Sequence, residues 1–272
     1  MLLTALVILG IIAGTFGSLL GLGGGIITVP ALLYLSTIVE GLHITPQIAV
    51  GTSLVVIIFT ALSSTIAYTK QNKVDYQCAL IFFIGSGPGS IFGAYVNKFV
   101  DIHSFNIYFG AFVIFISLLL MVKGKLKPSN KTWRIQRSYF EEPTNTTHMY
   151  GYNVSLGIFI SFFVGMASGL FGIGGGTLLV PAMLLLFQFP AQVAVATSMF
   201  IIFLSSILGS LTHFYLDNIN WLYVLALAPG AWLGGKLGAY ISTKMKGTAI
   251  VVVFRITLIF IGVRLIWQGI QG

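Results

Sequence analysis

Long apolar runs separated by short polar turns fill almost all of the 272-residue chain. Ten can be marked out, at about 2–21, 26–39, 46–68, 77–96, 104–122, 153–172, 177–189, 191–215, 221–241 and 248–268. Their apolar residues are contiguous rather than alternating, which predicts helices and not the strands of a barrel. Most approach the roughly 20 residues that a helix needs to cross a hydrocarbon core about 30 Å thick. The runs at 26–39 and 177–189 are shorter and are expected to be either spans or re-entrant halves of a hairpin with the run before them. One long polar stretch, 123–152, separates the fifth run from the sixth. These features predict an all-α polytopic membrane protein: a first membrane repeat at 1–122, a basic linker at 123–152 and a second membrane repeat at 153–272.

The two halves repeat one another. Gly14–Leu33 and Gly165–Leu184 align without gaps and share ten of twenty positions: those of Gly14, Leu19, Gly21, Gly23, Gly24, Gly25, Val29, Pro30, Ala31 and Leu33. Gln47–Ile57 (QIAVGTSLVVI) pairs with Gln192–Ile202 (QVAVATSMFII), and Pro88-Gly89 pairs with Pro229-Gly230. Three matches in the same order indicate a duplication. The N-terminal run lacks a basic leader region and has a counterpart in the second half, so it reads as a membrane segment and not a signal peptide.

Composition agrees with the pattern. Only 7% of residues are charged and 57% are hydrophobic, with a mean hydropathy of +0.98, whereas a soluble domain carries about 25% charge. The net charge of +8 is not a nucleic-acid signal, because six of the fourteen basic residues (Lys123, Lys125, Lys127, Lys131, Arg134 and Arg137) sit in the linker. Five segments per half is an odd number, so the second half is expected to be inverted relative to the first. If all ten segments alternate, ten basic residues fall on one face and Lys98 alone on the other. If the first two segments of each half form a single broken span, the division is eight to three. The positive-inside rule favours the first arrangement, with the linker in the cytoplasm and both termini extracytoplasmic.

Candidate chemistry lies at two breaks. Each half runs from its first apolar segment into Gly-x-Gly-Gly-Gly, at Gly21–Gly25 and Gly172–Gly176, followed by a short apolar helix with Pro30 or Pro181. Glycine ends helices by accepting positive φ. The helix that restarts offers unpaired N–H groups and a partial positive charge, which is an anion site made of backbone. Irregular backbone at membrane depth occurs where protein buries it or where it lines a watery cavity. The candidate substrate-binding residues are therefore Gly23, Gly24, Gly25, Gly174, Gly175, Gly176 and Thr177, with the hydroxyls of Thr52, Ser53, Thr197 and Ser198 as further donors to an anion. Close helix packing is the alternative use of the glycines, and back-bonding to helix carbonyls is the alternative use of the hydroxyls. Neither glycine run continues into a phosphate-binding loop.

No catalytic set of nucleophile and base, and no metal-ligand spacing, is apparent, so neither an enzyme nor a metal or cofactor is expected. Cys78 is the single cysteine, which rules out an internal disulfide. Glu40, Asp75, Asp101 and Asp217 lie at or near segment ends, as do His43, His103 and His213, and no carboxylate relay crosses the bilayer. Glu40 and His213 stay as candidates for ion coupling. Export of an anion needs no coupling, since one negative charge moving outward gains about 2.3 kcal/mol per 100 mV.

The paired GxGGG-x4-P-A blocks at Gly21–Ala31 and Gly172–Ala182, the Ala-Val-Gly/Ala-Thr-Ser stretches at 49–53 and 194–198, and the two Pro-Gly blocks resemble the sulfite exporter TauE/SafE family. The resemblance covers nearly the whole chain outside the linker. It implies a multi-pass permease of the plasma membrane for sulfite, thiosulfate, sulfoacetate or other organosulfur and organic anions. It also carries the glycine and Thr-Ser positions over as site residues. The expected partners are thus a small anion and the lipid bilayer, with no nucleic acid; a homo-oligomer is left open. A passive anion channel, or an assembly subunit without transport activity, is the competing class.

Overall fold

A computed structural model describes residues 2–38, 44–122, 133–141, 146–245 and 247–271. Helices account for all ten apolar runs: α1 (Leu2–Leu20), α2 (Gly25–Ile38), α3 (Pro46–Thr69), α4 (Tyr76–Asn97), α5 (Ile102–Val122), α6 (Val154–Phe171), α7 (Gly176–Leu185), α8 (Ala191–Tyr215), α9 (Trp221–Lys244) and α10 (Gly247–Gln271). Among the described residues, six helices, α1, α3, α4, α6, α8 and α9, are long and apolar enough to cross a membrane. The 14 residues of α2 and the 10 of α7 reach only about 21 and 15 Å at 1.5 Å per residue, short of a full span.

Local sequence explains where the long helices begin. Thr45 caps α3 by accepting from Ile48 N at 3.3 Å, with Pro46 in the first turn, where its missing N–H costs nothing. Asp75 caps α4 through Cys78 N at 3.0 Å, and Asn220 caps α9 through Tyr223 N at 3.2 Å. Asp75 and Asn220 occupy corresponding places in the two halves, directly before the helices that carry Pro88 and Pro229.

The packing also repeats when the halves are exchanged. Helix α1 lies along α9, and α6 lies along α4; α9 packs on α3, and α4 packs on α8; α5 and α10 pair with each other. The α1–α9 and α4–α6 seams are built from small residues. A Cβ added to Gly85, Gly89 or Gly93 of α4 would collide in turn with the carbonyl oxygens of Ile158, Phe162 and Met166 of α6. Those numbers rise together, so the two helices run parallel, in the close backbone approach that lipid-embedded helices favour. Helices α3 and α8 form the buried centre. Gly51 near the start of α3 meets His213 near the end of α8, while Asp75, just beyond α3, meets Thr197 near the start of α8. The two central helices are therefore antiparallel.

One element departs from the all-helical expectation. Within the linker, β1 (Ile135–Glu141) and β2 (Thr146–Tyr152) pair antiparallel, from Ile135 opposite Tyr152 to Glu141 opposite Thr146. Aromatic side chains strap this hairpin down: Trp133 against Phe187, Tyr150 against Phe189 and Tyr152 against Phe82, with ring centroids 5.7, 4.3 and 5.7 Å apart. Gly151 N donates to Phe187 O at 3.2 Å. The remaining linker positions, 123–132 and 142–145, lie outside the described residues, as do Glu40 and His43.

Candidate functional site

The two glycine breaks have matching backbones. Gly21, Gly23 and Gly24 in the first, and Gly172, Gly174 and Gly175 in the second, have φ between +68° and +99°. A Cβ in that region costs roughly 1–2 kcal/mol per residue, which explains glycine at these places. The first break turns the chain back along α1, so that Gly24 comes to rest beside the Ala13 carbonyl. Helix α2 restarts there, and its first amide to close a helical bond is that of Ile27, onto Gly24 O at 3.0 Å.

The breaks of the two halves meet. A Cβ on Gly23 or on Gly174 would touch the same two side chains, Ile57 of α3 and Ile202 of α8, at 3.0–3.2 Å. Gly25, at the start of α2, is pressed against the carbonyl oxygen of Gly172, at the end of α6. The ten-residue α7 restarts at Gly176, directly after Gly175. The surroundings of Gly176 and the side chain of Thr177 lie outside the described residues.

The four hydroxyls named from the sequence are fully buried and each bonds to the opposite half, but only the two serines touch the breaks, while the two threonines sit against the starts of α9 and α4. Ser53 Oγ donates to Gly172 O at 2.9 Å, and Ser198 Oγ donates to Gly21 O at 3.1 Å. Thr52 Oγ1 accepts from Asn220 N, and Thr197 Oγ1 accepts from Asp75 N, both at 3.0 Å. Each half therefore finishes the break of the other and ties down the cap of its helix. The serine protons go to backbone carbonyls, so an incoming anion would have to displace those bonds to use them. The groups free of that constraint are the first amides of α2 and α7, which lack intrahelical acceptors. The side chains placed against the positive-φ glycines of both breaks include Ile57, Ile202, Val50, Val164, Val180, Ser168 and Ser198, none of them ionised. Gln47 and Gln192 hold carbonyls at helix ends, those of Asn97 and Val100 and that of Met245, and stay away from the breaks. An open cavity of about 420 Å³ lies in the same outer region, lined by Ser36, Thr45, Gln47 and Asp101, and does not reach the breaks.

Sequence reasoning missed the junction at Asp75. Its buried carboxylate caps α4, accepts from Tyr150 Oη at 3.2 Å and lies 3.7 Å from Arg137 Nε of the hairpin. Arg137 also donates to Gln77. Burial, and then the charge of Asp75, hold the Tyr150 hydroxyl above its ordinary range, so it remains a donor. Burial alternates along the strand, with Ile135, Arg137 and Tyr139 half-buried and Gln136, Ser138 and Phe140 exposed, but Arg137 on the covered face and Phe140 on the open one break the apolar–polar alternation that would have marked it in the sequence. Asp75→Ala is expected to destabilise the hairpin's docking by about 1–3 kcal/mol, because it removes a helix cap and the acceptor of a buried hydroxyl. The ion pair adds little, since the Arg137 side chain is 40% exposed. Asp75→Asn keeps the cap and should lose less. Limited proteolysis of the linker reads this out, and equal protection of wild type and Asp75→Ala would defeat it.

Comparison with known proteins agrees with this architecture. The family model described as Sulfite exporter TauE/SafE matches residues 6–265. The probable membrane transporter protein YunE of Bacillus subtilis is 58% identical over 266 residues, covering 97% of each chain. A probable membrane transporter protein of Xylella fastidiosa is 27% identical over 253 residues, covering 92% of this chain and 90% of its own. One from Methanocaldococcus jannaschii is 28% identical over 256 residues, covering 90% and 88%. No solved structure matches.

Proposed function

Because the chain belongs to the sulfite exporter TauE/SafE family of membrane transporters, we propose that it carries small sulfur-containing or related organic anions across the plasma membrane by alternating access. The anion binds where the two glycine breaks meet. The observation that carries this reading is that Gly23 and Gly174, from different halves, lie against the same pair of side chains, Ile57 and Ile202. Two helix restarts thereby bring amide groups and partial positive charge towards one buried, uncharged place. Anion recognition there rests on backbone, with Gly24, Gly25, Gly175, Gly176 and Thr177 as its surround. Thr52, Ser53, Thr197 and Ser198 are the hinge bonds that exchange partners as the halves move. Paired discontinuous helices meeting between two repeats suit a secondary transporter.

The antiparallel course of α3 and α8, which correspond to each other, supports an inverted second repeat. The bias of basic residues supports a cytoplasmic linker and extracytoplasmic termini. An Asn130→Cys variant should react with an impermeant thiol reagent only from the cytoplasmic side. Labelling from outside intact cells would overturn that orientation.

The function is tested by purified protein in liposomes, with labelled sulfite, thiosulfate, sulfoacetate and sulfate offered at several imposed potentials. Saturable flux of one or more of these anions that responds to voltage is the expected result. Ohmic current without saturation would mean a channel, and no flux of any of the four would move the substrate outside sulfur oxyanions and sulfonates.

A further inference from the structure

The bonds that hold the two breaks are matched between the halves. Val195 and Ser198 of α8 lie against Gly21, and Val50 of α3, at the place that corresponds to Val195, lies against Gly172. Ser198 donates to Gly21 O and Ser53 to Gly172 O, while the neighbouring threonines hold the backbone amides of Asp75 and Asn220. Near the ends of the two central helices, Tyr68 Oη donates to Ser18 O at 3.0 Å, and His213 Nε2 donates to the corresponding Gly169 O at 3.2 Å. Bonds so alike do not by themselves favour closing one face over the other.

The faces differ in what lies outside these bonds. On the face that carries the linker, the hairpin grips both halves. From the first half it takes Asp75 through Tyr150 and Arg137, Gln77 through Arg137, and Phe82 through Tyr152. From the second it takes the turn after α7: Trp133 packs on Phe187, Tyr150 packs on Phe189, and Gly151 N donates to Phe187 O. Phe187, Phe189, Tyr150 and Tyr152 are all buried. On the opposite face the matching places have no such cover. Asn220, the counterpart of Asp75, bonds through its side chain to Tyr223 N of its own helix. Ile44, the counterpart of Phe189, lines the open cavity of about 420 Å³. Among the described residues, no hairpin lies over that face.

We propose that the hairpin is a strap that holds the linker face closed, fastened at Asp75, and that it lets go of Asp75 when the first break opens to that face. The strap reaches the break through a short chain of bonds. Tyr150 and Arg137 hold the Asp75 carboxylate, the Asp75 amide donates to Thr197, and Ser198, the next residue, holds Gly21 O. A hairpin fixed to both halves keeps them from parting on its own side, so one of its holds must open first. Release falls at Asp75 because a carboxylate, a phenol and a guanidinium regain hydrogen bonds from water on parting, whereas the rings on Phe187 and Phe189 would lose buried apolar contact. What passes the open strap rests on the transporter reading above, whereas the closure itself does not.

The test has two arms, both in a Cys78→Ala background. In the purified protein, Arg137→Glu combined with Tyr150→Phe should raise the rate at which Val195→Cys reacts with a small thiol reagent by about tenfold, the population shift that losing one charge-assisted hydrogen bond gives. Val50→Cys, beside the second break at the other face, should react no faster. An unchanged rate at Val195→Cys would overturn the proposal without reference to any substrate, and so would a rise at both places, which is what general loosening produces. The second arm fastens the strap. Gln77→Cys and Arg137→Cys, joined by a reducible bifunctional thiol reagent, should stop thiosulfate and sulfoacetate flux in liposomes until the link is reduced. Flux that survives the cross-link would overturn the strap. No flux before cross-linking would count against these anions as substrates, and the reactivity of Val195→Cys then decides the strap alone.

Discussion

Gly25→Ala is expected to lower the stability of the protein by about 3 kcal/mol or more, the upper range for forcing extra volume into a packed core. The added methyl would collide with the carbonyl oxygen of Gly172, a backbone atom that cannot rotate aside. Relief requires the start of α2 to part from the end of α6, which separates the halves where they cross. Folded proteins have only about 5–15 kcal/mol to lose. Gly175→Ala makes the contrast. Its φ is +71°, but a Cβ there meets nothing closer than 3.4 Å. The cost should be the backbone term alone, about 1–2 kcal/mol. Thermal unfolding in detergent compares the two variants, and equal shifts would show that the crossing is looser than described.

Ser53→Ala and Ser198→Ala are each expected to cost about 1–3 kcal/mol, because each removes the serine donor of a buried carbonyl that cannot reach water. Ser198 also contacts Val195 O at 2.9 Å, so its loss should fall no higher than that of Ser53. The two bonds brace one crossing from opposite sides. Once either is gone the interface loosens, and the second has less left to hold. The double variant should therefore lose less than the sum of the singles, a coupling that neighbouring residues show at about 0.5–3 kcal/mol. Strict additivity in a denaturation cycle would mean that the two breaks are independent.

Most of the fold was legible in the sequence because the bilayer imposes a simple code. A segment that must satisfy its own backbone in lipid becomes a helix, and its apolar length shows it. All ten helices fall on the ten apolar runs, although α7 stops at Leu185, before a turn through Gln188 at φ +58°, and not at 189. The breaks were legible because only glycine takes positive φ without strain. The uses of Thr52, Ser53, Thr197 and Ser198 were not legible, since a hydroxyl beside an anion site and a hydroxyl crossing to another chain segment look the same in one dimension. Asp75 read as a segment-end residue, and its partners Arg137 and Tyr150 lie 62 and 75 positions away. The pairing of Tyr68 with His213 follows from extending the Gln47–Gln192 alignment along its own register, but the chemical difference emerges only when both are seen to hold the same carbonyl.

The crossed serine bonds also bear on how the molecule is assembled. One half alone has a break without its donor and a serine without its acceptor. Two copies of a half could satisfy both only by exchanging the same bond in each direction, as residues do across a closed two-fold dimer. Placing the halves on one polypeptide turns that dimer contact into an internal one. The ratio of halves becomes one to one by construction, and association no longer depends on the concentration of protomers in the membrane. The halves are then free to diverge, as Asp75 has from Asn220 and Tyr68 from His213, because each residue need fit only a single, permanent partner.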